Sequence, residues 1–117
     1  MTVAEYLNHL FEIEVNAHIA HLQTRSYAQH KALDELYTSI VGFRDSYAEA
    51  YQGIYGIITG YSSIKTQEGI EMIKYLQLKV ISFRKYRESV KETELQQMIY
   101  DVIEFINGII YKLKFLE

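Results

Sequence analysis

Residues 93–117, TELQQMIYDVIEFINGIIYKLKFLE, decide the fold. Within them Leu95, Ile99, Val102, Ile106, Ile109, Leu113 and Leu116 follow one another in alternating steps of four and three. That spacing draws a continuous apolar seam along an α-helix, the seam by which helices pack in left-handed bundles. It predicts a final helix over 94–116 that is packed along its whole length.

Further upstream, helix starts are marked by a Ser or Thr followed three residues later by Glu or Gln, a pair that satisfies two orphan amides reciprocally. The pattern occurs at Thr2/Glu5, Ser26/Gln29 and Thr93/Gln96, and Thr66 with Glu68 in the first turn gives a weaker fourth start. Four helices are therefore predicted, near 3–22, 27–52, 67–90 and 94–116. Proline is absent, as suits an all-α chain. The third helix carries Ile70, Met72, Ile73, Leu76, Leu78, Val80, Ile81 and Phe83 on more than one face, which predicts more than one neighbour, some of it intermolecular. Residues 53–64 hold Gly53, Gly56 and Gly60 among Ile54, Tyr55, Ile57, Ile58 and Tyr61, too apolar for an exposed loop. About fourteen extended residues reach on the order of 45 Å, enough to cross a bundle, with room for a short helix over a partner surface. The architecture predicted is an all-α four-helix bundle with one crossover between its second and third helices.

The chain has 117 residues, 49% of them hydrophobic and 23% charged, which predicts one domain over 1–117 with one core. It has no cysteine, which excludes disulfides, thiolate metal sites and thiol nucleophiles, so a metal would have to sit on His, Asp or Glu. The first ten residues lack the basic and apolar regions of a leader, which predicts a cytoplasmic protein with no membrane role. A net charge of -3 makes DNA an improbable partner, because phosphate-backbone binding needs a basic footprint. No Lys-Ser or Lys-Thr follows the glycines to make a phosphate loop, and no serine sits on a nucleophile elbow.

The polar residues that stand out lie on the first two helices. His30, Asp34, Asp45 and Glu49 fall within roughly a 100° arc of the second helix, beside rather than inside its apolar stripe, a placement suited to a site between subunits. On the first helix His18 lies among Leu7, Leu10, Phe11 and Leu22, with Glu14 one turn earlier, and is expected to point inward. His21 is a reserve ligand or a solvated residue, and His9 is read as surface. Imidazole plus carboxylate suits iron, manganese or zinc, and open positions on iron permit oxygen chemistry. Asp45 and Glu49, one turn apart, repel each other unless a cation intervenes. Tyr47, Tyr51 and Tyr55 form a ladder at steps of four, read as core-edge residues whose hydroxyls reach water.

The spacing of these residues resembles that of the Dps miniferritins, the iron-oxidising relatives of ferritin. That family's motif has a His, a second His twelve residues on, an acid four further, an Asp fifteen after the second His and a Glu four after that. Here these are His18, His30, Asp34, Asp45 and Glu49. The resemblance implies a ferritin-like bundle, assembly into a homo-oligomer, and an iron site in which His18 and His30 of one subunit face Asp45 and Glu49 of its neighbour, with Asp34 nearby. It also implies oxidation of bound ferrous iron, usually by peroxide. The tryptophan that follows the first His in the family is Ile19 here, the arginine that follows the last Glu is Ala50, and the lysine-rich tail that lets some members bind DNA is absent. The small, unelaborated bundle also suits a phage-encoded relative. Two other readings stay open: a non-enzymatic oligomer that holds a small molecule or protein partner in its intersubunit pocket, and a purely structural bundle whose His and acids are solvated.

Overall fold

A computed structural model describes residues 1–117 and contains four helices and no strands: α1 (Val3–Gln23), α2 (Tyr27–Tyr55), α3 (Met72–Glu88) and α4 (Thr93–Phe115). Thr2 and Ser26 cap α1 and α2 as the sequence predicts, accepting from the amides of Glu5 and Gln29. The other two starts differ. The Gln67 amide is held by Asn16 Oδ1 at 2.9 Å and Gly69 takes a left-handed φ of +69°, so the chain cannot coil there. The α3 helix instead begins after Glu71, whose carboxylate accepts from Ile73 and Lys74. At α4, Glu92 rather than Thr93 takes the cap position, and its carboxylate accepts from the Tyr55 hydroxyl and not from its own helix.

The seam of α4 buries Leu95, Ile99, Val102, Ile106, Ile109 and Leu113, while Leu116 lies beyond the helix and is exposed. Leu7, Leu10 and Ile13 of α1, Leu33, Leu36 and Ile40 of α2, and Leu76 and Phe83 of α3 complete one core. The α1 helix packs on α2, α2 on α4, α4 on α3, and α3 on α1, so the four stand in a square with α2 and α3 on a diagonal.

Residues 56–71 hold no helix, contrary to the room allowed for one, and α2 runs through Gly53. This segment is an extended strap along α1. Gly60 lies against Ala4, Asn8 donates to the Ser62 carbonyl, Asn16 donates to the Lys65 carbonyl, and Gln23 donates to Glu68. The anchors advance from the start of α1 to its end, so the strap carries the chain back the length of the bundle. The α3 helix therefore runs parallel to α2, and α4 runs parallel to α1.

Four polar groups lie inside this frame. Asn16 is 2% exposed and uses its whole amide, donating to the Lys65 carbonyl and the Tyr75 hydroxyl while accepting from Gln67. Lys79 is buried and donates to Glu12 at 2.8 Å and to His9 Nδ1 at 2.7 Å, so His9 is part of a packed cluster and not a free surface residue. Tyr47, read as a core-edge residue, is fully buried, with its hydroxyl 3.1 Å from that of Tyr86. The Tyr6 hydroxyl is buried with no partner.

Gly42 and Gly108 occupy the interiors of α2 and α4, where glycine costs about 0.5–1 kcal/mol relative to alanine. Both are exposed, and a Cβ at either would meet nothing within 4 Å. Nothing inside the chain requires them to be glycine.

Candidate metal-binding face

The α1–α2 hairpin brings three histidines to one end of the bundle. The buried positions of α1 continue through Leu10, Ile13 and Ala17 to His21, whereas Leu22 is 71% exposed. His18, one residue past Ala17 and so about 100° further round the helix, is exposed and does not point inward. Its ring stacks on Tyr37 at 3.9 Å. The buried histidine is His21. Its Nδ1 lies 2.8 Å from the His30 carbonyl and His30 Nδ1 lies 2.9 Å from the His21 carbonyl, with the two rings stacked at 3.7 Å. A carbonyl only accepts, so both Nδ1 atoms carry the proton and donate. The nitrogen left with a lone pair on each neutral ring is Nε2, and an Nδ1–H held by a backbone carbonyl is the usual support of a histidine ligand.

Asp34 sits one turn beyond His30, half-buried. Its carboxylate raises the pKa of the Tyr37 phenol, the ring on which His18 stacks.

Asp45 and Glu49 are exposed on the same side of α2 as His30 and Asp34. From His30 to Asp45 the helix rises about 22 Å, so these two acids lie far from the histidines of their own chain. No three His, Asp or Glu side chains within the chain form a group that could hold a metal ion. Asp45 accepts from Arg44 Nε at 3.1 Å, and Arg44 also donates to Glu14. The cation that eases repulsion between Asp45 and Glu49 is thus supplied in part by the chain itself, and Glu14 serves Arg44 and not His18. Arg44 is buried against the Phe11 ring, 4.0 Å from its centroid. Sequence reading missed it, since its partner Glu14 lies thirty residues away on another helix.

One face therefore displays two half-sets of donors: His18, His30 and Asp34 at one end, and Asp45 and Glu49 at the other. The first offers imidazole nitrogen and carboxylate oxygen, the second carboxylates only. Neither alone closes a coordination sphere. No helix is long and apolar enough to cross a membrane.

The chain belongs to a family of unknown function, DUF5856, which matches residues 21–113. The match takes in His30, Asp34, Asp45 and Glu49, and begins after His18. The chain is also similar to an uncharacterized 14.6 kDa protein from the mobD-ri intergenic region of Enterobacteria phage T4, 31% identical over 117 residues, covering 96% of this chain and 84% of that protein. A phage relative agrees with the small, unelaborated bundle. Neither comparison connects the chain with the Dps miniferritins, so that resemblance rests on the spacing of the five residues. No solved structure matches.

Proposed function

We propose that two copies of this chain pair α2 against α2 in antiparallel orientation and bind ferrous iron between them, in the manner of a miniferritin. The observation that carries this reading is the placement of His30 and Asp34 at one end, and Asp45 and Glu49 at the other, of one outward face of α2. His30 and Glu49 are symmetric about the midpoint between Ser39 and Ile40, and so are Asp34 and Asp45. A second α2 crossing there in the opposite direction sets His30 opposite Glu49 and Asp34 opposite Asp45, twice over. His18, turned outward, stands beside each such group. Two facing carboxylates with an imidazole nitrogen are a donor set for iron, and they repel each other without a cation. Gly42, exposed near the crossing, lets the two helix backbones approach closely.

The order of the helices supports the same reading. Antiparallel neighbours, parallel diagonals and a long strap between the second and third helices are the topology of a ferritin-like bundle with one crossover. Iron is here a substrate, and peroxide or dioxygen is the electron acceptor.

Anaerobic titration of the metal-free protein with ferrous iron tests the proposal. Saturable binding near one or two ions per site is expected, lost in both His18→Ala and Asp45→Ala with helicity unchanged. Peroxide or air added afterwards should give ferric absorbance in the wild type only. Binding that persists in both variants, or that does not exceed a helical control protein, overturns the reading.

A further inference from the structure

Resting on the iron reading above, we infer that Tyr37 is the positioning residue for the histidine half of the site. Its ring face fixes His18, and its ring also meets the buried His21 that carries His30.

His30, Asp34 and Tyr37 follow one another on α2 in steps of four and three, so all three share one side of the helix. The Tyr37 ring is half-buried and packs against the core, which makes it a fixed platform. The His18 ring lies flat on it, with centroids 3.9 Å apart and planes tilted by 6°. His21, from the same helix as His18, meets it in a T-shaped contact at 5.2 Å. His21 is in turn stacked on His30, and each of the two rings is hydrogen-bonded to the backbone carbonyl of the other residue. The Asp34 carboxylate raises the pKa of the Tyr37 phenol, so the hydroxyl keeps its proton beside that acid. One tyrosine is thus tied to each donor of this half-set, to His30 by way of His21.

The two histidine donors differ in what else holds them. His30 has its Nδ1–H on the His21 carbonyl, the usual support of a histidine ligand. His18 is exposed on α1, and no hydrogen bond of the chain holds its ring. An exposed imidazole without a partner moves among rotamers, and an ion that recruits it must first order it. Stacking on Tyr37 removes that cost, because it confines the ring by its face and leaves the nitrogens at its edge free. Tyr37 therefore does for His18 what a backbone carbonyl does for His30, and donors held in place before binding are what a metal site requires. Asp45 lies eight residues further along α2, about 12 Å, so a change at Tyr37 acts on the histidine half and not on the paired acids.

Anaerobic titration with ferrous iron of the wild type, Tyr37→Leu and Tyr37→Phe, together with proton NMR of the metal-free proteins, tests the inference. Leucine keeps apolar bulk against the core but has no ring face, whereas phenylalanine keeps the face and loses only the hydroxyl. Tyr37→Leu should bind iron about 10–100-fold more weakly at unchanged helicity, the usual cost of removing the support of a ligand. Tyr37→Phe should recover most of that affinity, a rescue that a role in stability alone would not give. In the wild type and Tyr37→Phe the His18 ring protons, which lie over an aromatic face, should be shifted upfield, and in Tyr37→Leu they should not. Wild-type affinity in Tyr37→Leu, a Tyr37→Phe as weak as Tyr37→Leu, or unshifted His18 protons in the wild type would each overturn the role of Tyr37 while iron binding by the wild type leaves the iron reading standing. A wild type that binds no iron overturns the iron reading, and the role of Tyr37 falls with it.

Discussion

Replacing Asn16 by alanine is the sharpest test of how the strap is held. The side chain is 2% exposed and makes three hydrogen bonds, to the Lys65 carbonyl, the Tyr75 hydroxyl and the Gln67 amide. A hydrogen bond of this kind contributes about 1 kcal/mol net, and a buried partner left unsatisfied costs more. Lys65 and Gln67 are exposed, so their backbone groups regain water when Asn16 is removed. Tyr75 is only partly exposed and recovers less. The expected loss is about 2–3 kcal/mol, which for a small protein lowers the urea midpoint by roughly 1–2 M. Hydrogen exchange supplies a local reading, because the Gln67 amide loses its acceptor and should exchange faster than the amides of α4. A loss below about 1 kcal/mol together with unchanged exchange at Gln67 would refute the idea that Asn16 fastens the strap.

Two further outcomes follow from the polar and aromatic groups packed between helices. Burial, then the charge of Lys79, holds the His9 pKa below its ordinary 6.5, so His9 contributes stability that is complete above that value and is lost as pH falls through the lowered pKa. Burial would raise Glu12, but its hydrogen bond and charge contact with Lys79 outweigh it and hold Glu12 below 4.5, so its contribution is lost only at lower pH still. Urea midpoints measured from pH 8 down to about 2 should therefore fall in two stages, and His9→Gln should remove part of the upper one; an unchanged upper stage would contradict this. Tyr6→Phe deletes a buried hydroxyl that has no partner and should leave stability unchanged or raise it by up to about 1 kcal/mol in thermal unfolding. A comparable loss would mean the hydroxyl is bonded in solution, for instance to a buried water.

The parts of the fold visible in the sequence were those set by local rules. Thr2 and Ser26 cap their helices through contacts three residues away, and the seam from Leu95 to Leu113 is a property of one helix. The parts that were hidden depend on distant partners. Thr66 and Glu68 read as a helix start, but Asn16, about fifty residues earlier, claims the Gln67 amide and keeps the segment extended. His18 and His21 differ by less than one turn, and which of them turned inward depended on where α2 lay and on the carbonyl of His30. Of the five residues singled out for metal binding, His30, Asp34, Asp45 and Glu49 lie on one side of α2, whereas His18, expected to point inward, is exposed and stacks on Tyr37. The separation of those four into two groups follows from helix rise alone, whereas the Arg44 that holds Asp45 is fixed by a neighbour in space and left no periodic trace.

The strap also orders the way the chain folds. Its hydrogen-bonded anchors join residues 45 to 54 apart in sequence, as in Gln23 to Glu68 and Asn8 to Ser62. The α1–α2 and α3–α4 hairpins, by contrast, close across turns of a few residues. Short closures cost little chain entropy and form early, while contacts across some fifty residues must wait until most of the chain has collapsed. Two preformed hairpins would otherwise be free to dock with either end up, since each presents an apolar face. A segment with no secondary structure of its own, threaded past Asn8, Asn16 and Gln23 in turn, sets the direction in which the second half of the molecule runs.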